Sequence, residues 1–213
     1  DKNHSPLPRI YTDLAECAIA DIYHYGMVPA AMPETVLHLI EALWIRSNVS
    51  HRTHYSYPDI DENFGLNPHL DFLYQTKSAD ATPILPLLWA EQKLVTDWVI
   101  DFCNQTGDSY VHSYLNKDYK EYSTITIYVN DTPVEQIASD RLWKMYRGTA
   151  SGPSPLISLL MGFEAWLLLV IKDSETRDVV KYCRYILQKS RNVMLTSVIV
   201  SAAEAYPDKL FEI

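Results

Sequence analysis

Residues 156–171 read LISLLMGFEAWLLLVI, residues 176–189 read TRDVVKYCRYILQK, and residues 193–205 read VMLTSVIVSAAEA. The first run is apolar nearly all round, with Glu164 its only charge. The second sets Val179, Val180, Cys183, Ile186 and Leu187 three and four residues apart. Such spacing predicts a helix that packs by one stripe, whereas a helix apolar on all sides has to be covered by neighbours. The connectors are only a few residues long, so Ser154 to Tyr206 predicts three helices in tight succession. The fold class is therefore mainly α, built of packed α-hairpins, with one small β-hairpin described below. The arrangement is reminiscent of armadillo or HEAT solenoids, although no countable repeat period is present.

Upstream, Gly148 to Pro155 predicts a rigid break, with Ser154 as the N-cap of the apolar helix. Ser139 is positioned to cap a short helix from Asp140 to Tyr146. From Ser123 the period changes: Ile125, Ile127 and Val129 alternate with Thr124, Thr126 and Tyr128, which predicts a strand covered on one side. Asn130-Asp131 supplies turn residues and Val134 to Ile137 a returning strand, which Pro133 would confine to an edge. Two strands alone are marginal in water, so this hairpin has to lean on helices or pair outside the chain. A long helix is expected from Ile84 to Gln105, another beginning at Pro33-Glu34, and a first from Ile10 to Tyr25 closed by Gly26. Between Ser47 and Pro83 periodicity fails, with Asn63 to Pro68 the clearest turn and short helical turns expected at Leu70 to Tyr74. The chain is read as one helical domain over residues 1–213, with a sub-boundary near 106–122. Its opening on Asp1 and its close on Phe211-Glu212-Ile213 suggest a segment of a longer protein.

At 213 residues with 47% hydrophobic content, the chain is long enough to bury a sizeable core. Its net charge of -9 argues against a general nucleic-acid binder, which needs clustered Lys and Arg. Cys17, Cys103 and Cys183 are odd in number and sit in apolar helical contexts, which suits a reducing cytoplasm better than a disulfide framework. The run from Leu156 to Ile171 is shorter than the roughly 20 residues that cross a bilayer, so a buried helix is expected there.

Few residues suggest chemistry. His51 and His54, followed by Asp59, Asp61 and Glu62, are the nearest approach to a metal cluster, since His and carboxylate ligate divalent ions. The bland alternative is a polar surface loop. Cys17 with His24, or Cys103 with His112, pairs a thiol with a base, but a nucleophilic thiol needs a polar, electropositive setting that these sequences lack. Gly148-Thr-Ala-Ser-Gly152 has neither the lysine nor the preceding buried strand of a phosphate loop. No catalytic residue and no cofactor is expected. Trp143, Tyr146 and Arg147 lie together before a helix start and are of the types that dominate interaction hot spots. Their competing reading has Trp143 plugging the core and Arg147 bonding carbonyls at a helix end.

The phrases Leu142-Trp-Lys-Met-Tyr-Arg-Gly148, Pro153-Ser-Pro155 and Ser158 to Leu168 resemble a segment of very large bacterial ATP-binding proteins of the AAA or STAND type that act in anti-phage defence. The resemblance continues at Lys189 to Val193, Thr196 to Val198 and Ala205 to Lys209, with weaker similarity at Asp97 to Asn104 and Pro33 to Trp44. It implies a helical region outside the nucleotide-binding core, and this chain has no P-loop or Walker B strand to carry ATPase activity. The resulting expectation is a non-enzymatic scaffold or sensor region of a cytoplasmic defence NTPase. It would contact other modules or protein partners, with oligomerisation among the outcomes, and neither nucleic acid nor membrane. The alternative is a small stand-alone metal-dependent hydrolase using His51 to Glu62.

Overall fold

The computed structural model describes residues 14–15, 19, 27–46, 59–68, 70, 76–117 and 120–210. In chain order these form α1 (Met27–Ala31), α2 (Pro33–Trp44), α3 (Ile60–Asn63), α4 (Ile84–Ala90), α5 (Gln92–Val111), β1 (Ser123–Val129), β2 (Thr132–Ala138) and α6 (Asp140–Lys144). The C-terminal part follows as α7 (Ser154–Asp173), α8 (Thr176–Lys189), α9 (Val193–Ala205) and α10 (Pro207–Leu210). The protein is mainly helical with one two-stranded antiparallel sheet. Apart from Leu14, Ala15 and Ile19, the helix expected at Ile10–Tyr25 lies outside the described residues, as do all but Leu70 of Leu70–Tyr74.

Helix α7 is the centre of the core. Its first half is buried on every side, with Leu156, Ile157, Leu159, Leu160 and Phe163 inaccessible to solvent. Its second half narrows to the stripe Trp166, Leu167 and Ile171 and leaves Leu169 exposed. It packs against α4, α9 and the 3-10 turn Met145–Arg147 that follows α6. Among the described residues it is the one helix long and apolar enough to cross a membrane, and 67% of its apolar window is buried inside the fold. Its first turn departs from expectation: Pro153 is the N-cap and Ser154 is a buried residue inside the helix. Pro155 in the first turn explains the shift, because proline is pre-set for that position.

The helix expected at Ile84–Gln105 is two helices. Glu91, at φ -143° and ψ 72°, breaks it, and α5 then continues to Val111, well into the expected sub-boundary. Ala90-Glu91-Gln92 contains no breaker, so the bend follows packing, with α4 held by α1 and α7 and α5 by α8 and α9. Helix α3 lies in the stretch without periodicity. Asp59 Oδ1 accepts from Ile60 N at 2.6 Å, and Asp59 N donates to Glu62 Oε2 at 3.0 Å, completing a capping box.

The hairpin forms as expected, with Val129 opposite Thr132 and Tyr128 opposite Pro133. Asn130 and Asp131 have φ of 49° and 59°, the left-handed pair that a two-residue turn of matching twist requires. The Val129–Thr132 pair closes the turn, so Pro133 falls at the next position, where a strand N–H points away from its partner. The root of the hairpin is tied to the α8–α9 connector. Ile137 N donates to Arg191 O at 2.8 Å, Gln136 Nε2 to Ser190 O at 3.0 Å, and Thr196 Oγ1 to Gln136 Oε1 at 2.7 Å.

Helix α5 grips the same connector. Asn104 Nδ2 donates to Lys189 O at 3.0 Å, and its Oδ1 accepts from Arg191 N at 2.8 Å. Asn192 caps α9 by accepting from Met194 N at 3.1 Å and donates from Nδ2 to Cys103 O at 2.8 Å. Gly107 lets the chains approach: a Cβ there would lie 2.5 Å from Asn192 Nδ2. Replacing Asn192 by Ala therefore removes a cap and a buried bond between α9 and α5, and should lower stability by about 2 kcal/mol. Urea unfolding at unchanged m-value measures this, and a loss below about 0.5 kcal/mol, the range of ordinary surface changes, would contradict the assignment.

Candidate interaction face

Helix α6 starts at Ser139, whose Oγ accepts from Leu142 N at 3.1 Å. Leu142, Met145 and Tyr146, three and four residues apart, form its inward stripe and are all buried. Trp143 is one residue off that stripe and is 39% exposed. It does not plug the core, because Leu142 and Met145 already fill that space. Tyr146 is buried, so it is not part of an open contact surface; its Oη accepts from Arg147 Nε at 2.6 Å. Arg147 does not bond helix-end carbonyls either. Its guanidinium lies 5.2 Å from the Tyr146 ring centroid and 3.5 Å from Glu204 Oε2. The helix-end carbonyls of α7 are bonded by Lys209, which donates to Ile171 O at 2.6 Å and Lys172 O at 2.9 Å, while Arg141 donates to Ser151 O in the preceding loop at 2.7 Å.

Two ties set α6 alongside α9. Ile137 forms a parallel bridge with Asn192 before the two helices begin, and Arg147 reaches Glu204 near their far ends. The segments therefore run side by side in the same direction, and Val200, four residues before Glu204, is 37% exposed, as Trp143 is four residues before Arg147. Two packed helices thus each carry an exposed apolar side chain, Trp143 and Val200, and are joined by the Arg147–Glu204 pair. The separation of Val200 and Glu204 by one helical turn is visible in the sequence, but that their helix packs alongside α6 is not, because it depends on the parallel docking.

The metal candidates are not assembled by anything the structure describes. His51 and His54 lie outside the described residues, and Asp59 serves as the α3 cap. Among the described residues no group of three His, Cys, Asp or Glu side chains is placed to hold a metal ion. Cys17 and His24 also lie outside the described residues. Cys103 and Cys183 are free and buried. Burial pushes the Cys183 thiol up to about 12 and moves Cys103 in the same direction. His112 is exposed, with Nδ1 against Asp108 O at 2.8 Å, so it does not serve as a base for Cys103.

One ionic cluster joins α5 to α8. Asp97 accepts from Lys93 at 2.8 Å, from Lys189 at 3.3 Å and from Tyr185. Partial burial works to raise the Asp97 pKa, but the hydrogen bonds from Lys93, Tyr185 and Lys189 outweigh it and hold the carboxyl at about 2. No family model matches the chain, and no curated protein matches it.

Two outcomes follow from these environments. Because the folded carboxyl is depressed below its ordinary 3.8, the Asp97 contribution is present above pH 4 and is lost as pH falls from about 4 through about 2. Asp97→Asn should flatten that part of a stability-against-pH curve measured with urea, and an identical acid slope in the variant would refute the role. In a Cys17→Ser variant, the native protein should not react with a thiol-disulfide reagent, whereas unfolding should release the thiols of Cys103 and Cys183. Rapid native labelling would show that the helices do not shield them.

Proposed function

We propose that this chain is a non-enzymatic helical scaffold or sensor region of a larger cytoplasmic NTPase of bacterial anti-phage defence, making protein–protein contacts through the α6–α9 face. The observation that carries the contact is that Trp143 and Val200 are exposed on two packed helices whose other sides are fixed in the core. An indole held on a rigid element loses little conformational entropy on binding, and Trp with Arg is the composition of interaction hot spots. The defence-protein setting rests on the short phrases from Leu142 to Lys209. Within this reading α7, α8 and α9 are the solenoid-like part, short-linked helices whose stacking would continue into neighbouring modules. Cys103 and Cys183 are buried and so are not placed as nucleophiles.

The test uses the intact protein as its gene encodes it. A photo-crosslinking amino acid at Val200 should capture another module, a second copy or a partner protein, and the adduct should fall about tenfold when Trp143 is also changed to Ala, with folding unaltered. Adduct yields from position 200 no higher than from exposed Lys117 would sink the proposal. A reading frame around this segment without an NTPase module would remove the defence setting while leaving the contact face standing.

A further inference from the structure

The outward stripe of α8 is unlike the rest of this acidic chain. Its inward side is Val179, Cys183, Ile186 and Leu187, and on the opposite side Arg177, Lys181 and Arg184 follow one another at spacings of four and three residues. These three cations line an open cleft of about 700 Å³ between α8 and the hairpin turn at Asn130, and among the described residues no carboxylate lines it. Most described cations elsewhere are neutralised, as in Lys93 with Asp97, Lys144 with Asp140, Arg147 with Glu204 and Arg191 with Asp108. Arg177 and Lys181 form no ion pair among the described residues, although Glu175 and Asp178 neighbour them along the chain. Leaving adjacent cations unneutralised in a chain of net charge -9 concentrates positive potential where the cleft walls reduce screening.

We infer that this cleft docks a short acidic peptide segment of a partner protein. Carboxylates of the segment would pair with Arg177 and Lys181, and an apolar side chain between them would rest on Val180, which forms the floor. That floor favours a peptide over a bare inorganic anion, which would gain nothing from apolar contact. The acidity of the remaining surface disfavours nucleic acid, whose phosphate ladder would extend past three cations into like charge. Thr176 begins α8 at the cleft, so the positive end of the helix dipole adds to the same field. No residue of α6 or α9 lines the cleft, so this surface stands apart from the face around Trp143 and the two succeed or fail separately.

The experiment measures anisotropy of a fluorescein-labelled peptide EELEE added to the purified chain at low salt. Saturable binding should weaken at least tenfold in the double variant Arg177→Glu, Lys181→Glu and should be unaffected by Trp143→Ala. Both substitutions are at exposed positions, and matched circular dichroism and thermal melting confirm that each variant folds. A peptide with leucine replaced by serine should bind several-fold more weakly if the Val180 floor is used. The inference is overturned if EELEE does not saturate, or if the charge reversal leaves binding unchanged. It is equally overturned if inorganic triphosphate or a ten-residue oligothymidylate displaces the peptide at lower concentration than unlabelled EELEE does.

Discussion

The polar junction around Ser190, Arg191 and Asn192 is the constraint from which the rest of the arrangement follows. Three pieces of chain distant in sequence meet there: the α8–α9 connector, the root of the β-hairpin and the middle of α5, with the hairpin and α5 each bound to the connector. Each backbone group in a connector this tightly buried needs a partner, because leaving one unmade costs more than making it gains. Side-chain amides supply those partners: Asn104 bonds to both Lys189 O and Arg191 N, Gln136 reaches Ser190 O, and Asn192 reaches Cys103 O. Apolar burial alone would hold α8 and α9 against α5 in many nearly equivalent positions. Directional bonds at their shared corner select one of them.

The exposed chemistry depends on that selection. Because the corner fixes where α9 begins and where β2 ends, α6 has to leave Ser139 alongside α9, with Trp143 off its buried stripe. A one-residue slip of β2 against Arg191 would carry Gln136 away from Thr196 and turn alternate side chains to the opposite side of the strand. The contact face is thus set by hydrogen bonds made by residues that do not belong to it.

Much of this was legible in the sequence, and the limits are physical. The ranges of α8 and α9 coincide with the runs quoted from the sequence because a strong apolar stripe ends where its stop signals stand. The hairpin was legible because Asn130-Asp131 tolerates the left-handed backbone between two alternating segments. The break at Glu91 was not, since it arises from how α4 and α5 pack and not from residues that disfavour helix. The capping pattern Asp59-x-x-Glu62 was present but went unused, because no apolar period followed it. Within the candidate face the sequence shows the residue types, and their orientation follows from the spacing of the buried residues around them. The spacing of Leu142, Met145 and Tyr146 already defines an inward stripe, and it leaves Trp143 outside.

The same logic separates the two kinds of polar residue in this protein. Asn104, Gln136 and Asn192 are buried within an otherwise apolar interior and are partnered inside the chain, so they spend their bonding capacity on geometry. Arg177 and Lys181 are exposed and, among the described residues, unpaired on a helix whose inner face is saturated with Val, Cys, Ile and Leu. A rigid helix that keeps its cations solvated carries little cost in stability, since a surface ion pair would have contributed about 0–1 kcal/mol at most. Unneutralised charge on a fixed frame is therefore cheap to maintain and leaves its electrostatic attraction available to another molecule. The fold supplies the frame through its amides, and that frame frees the surface cations from any structural duty.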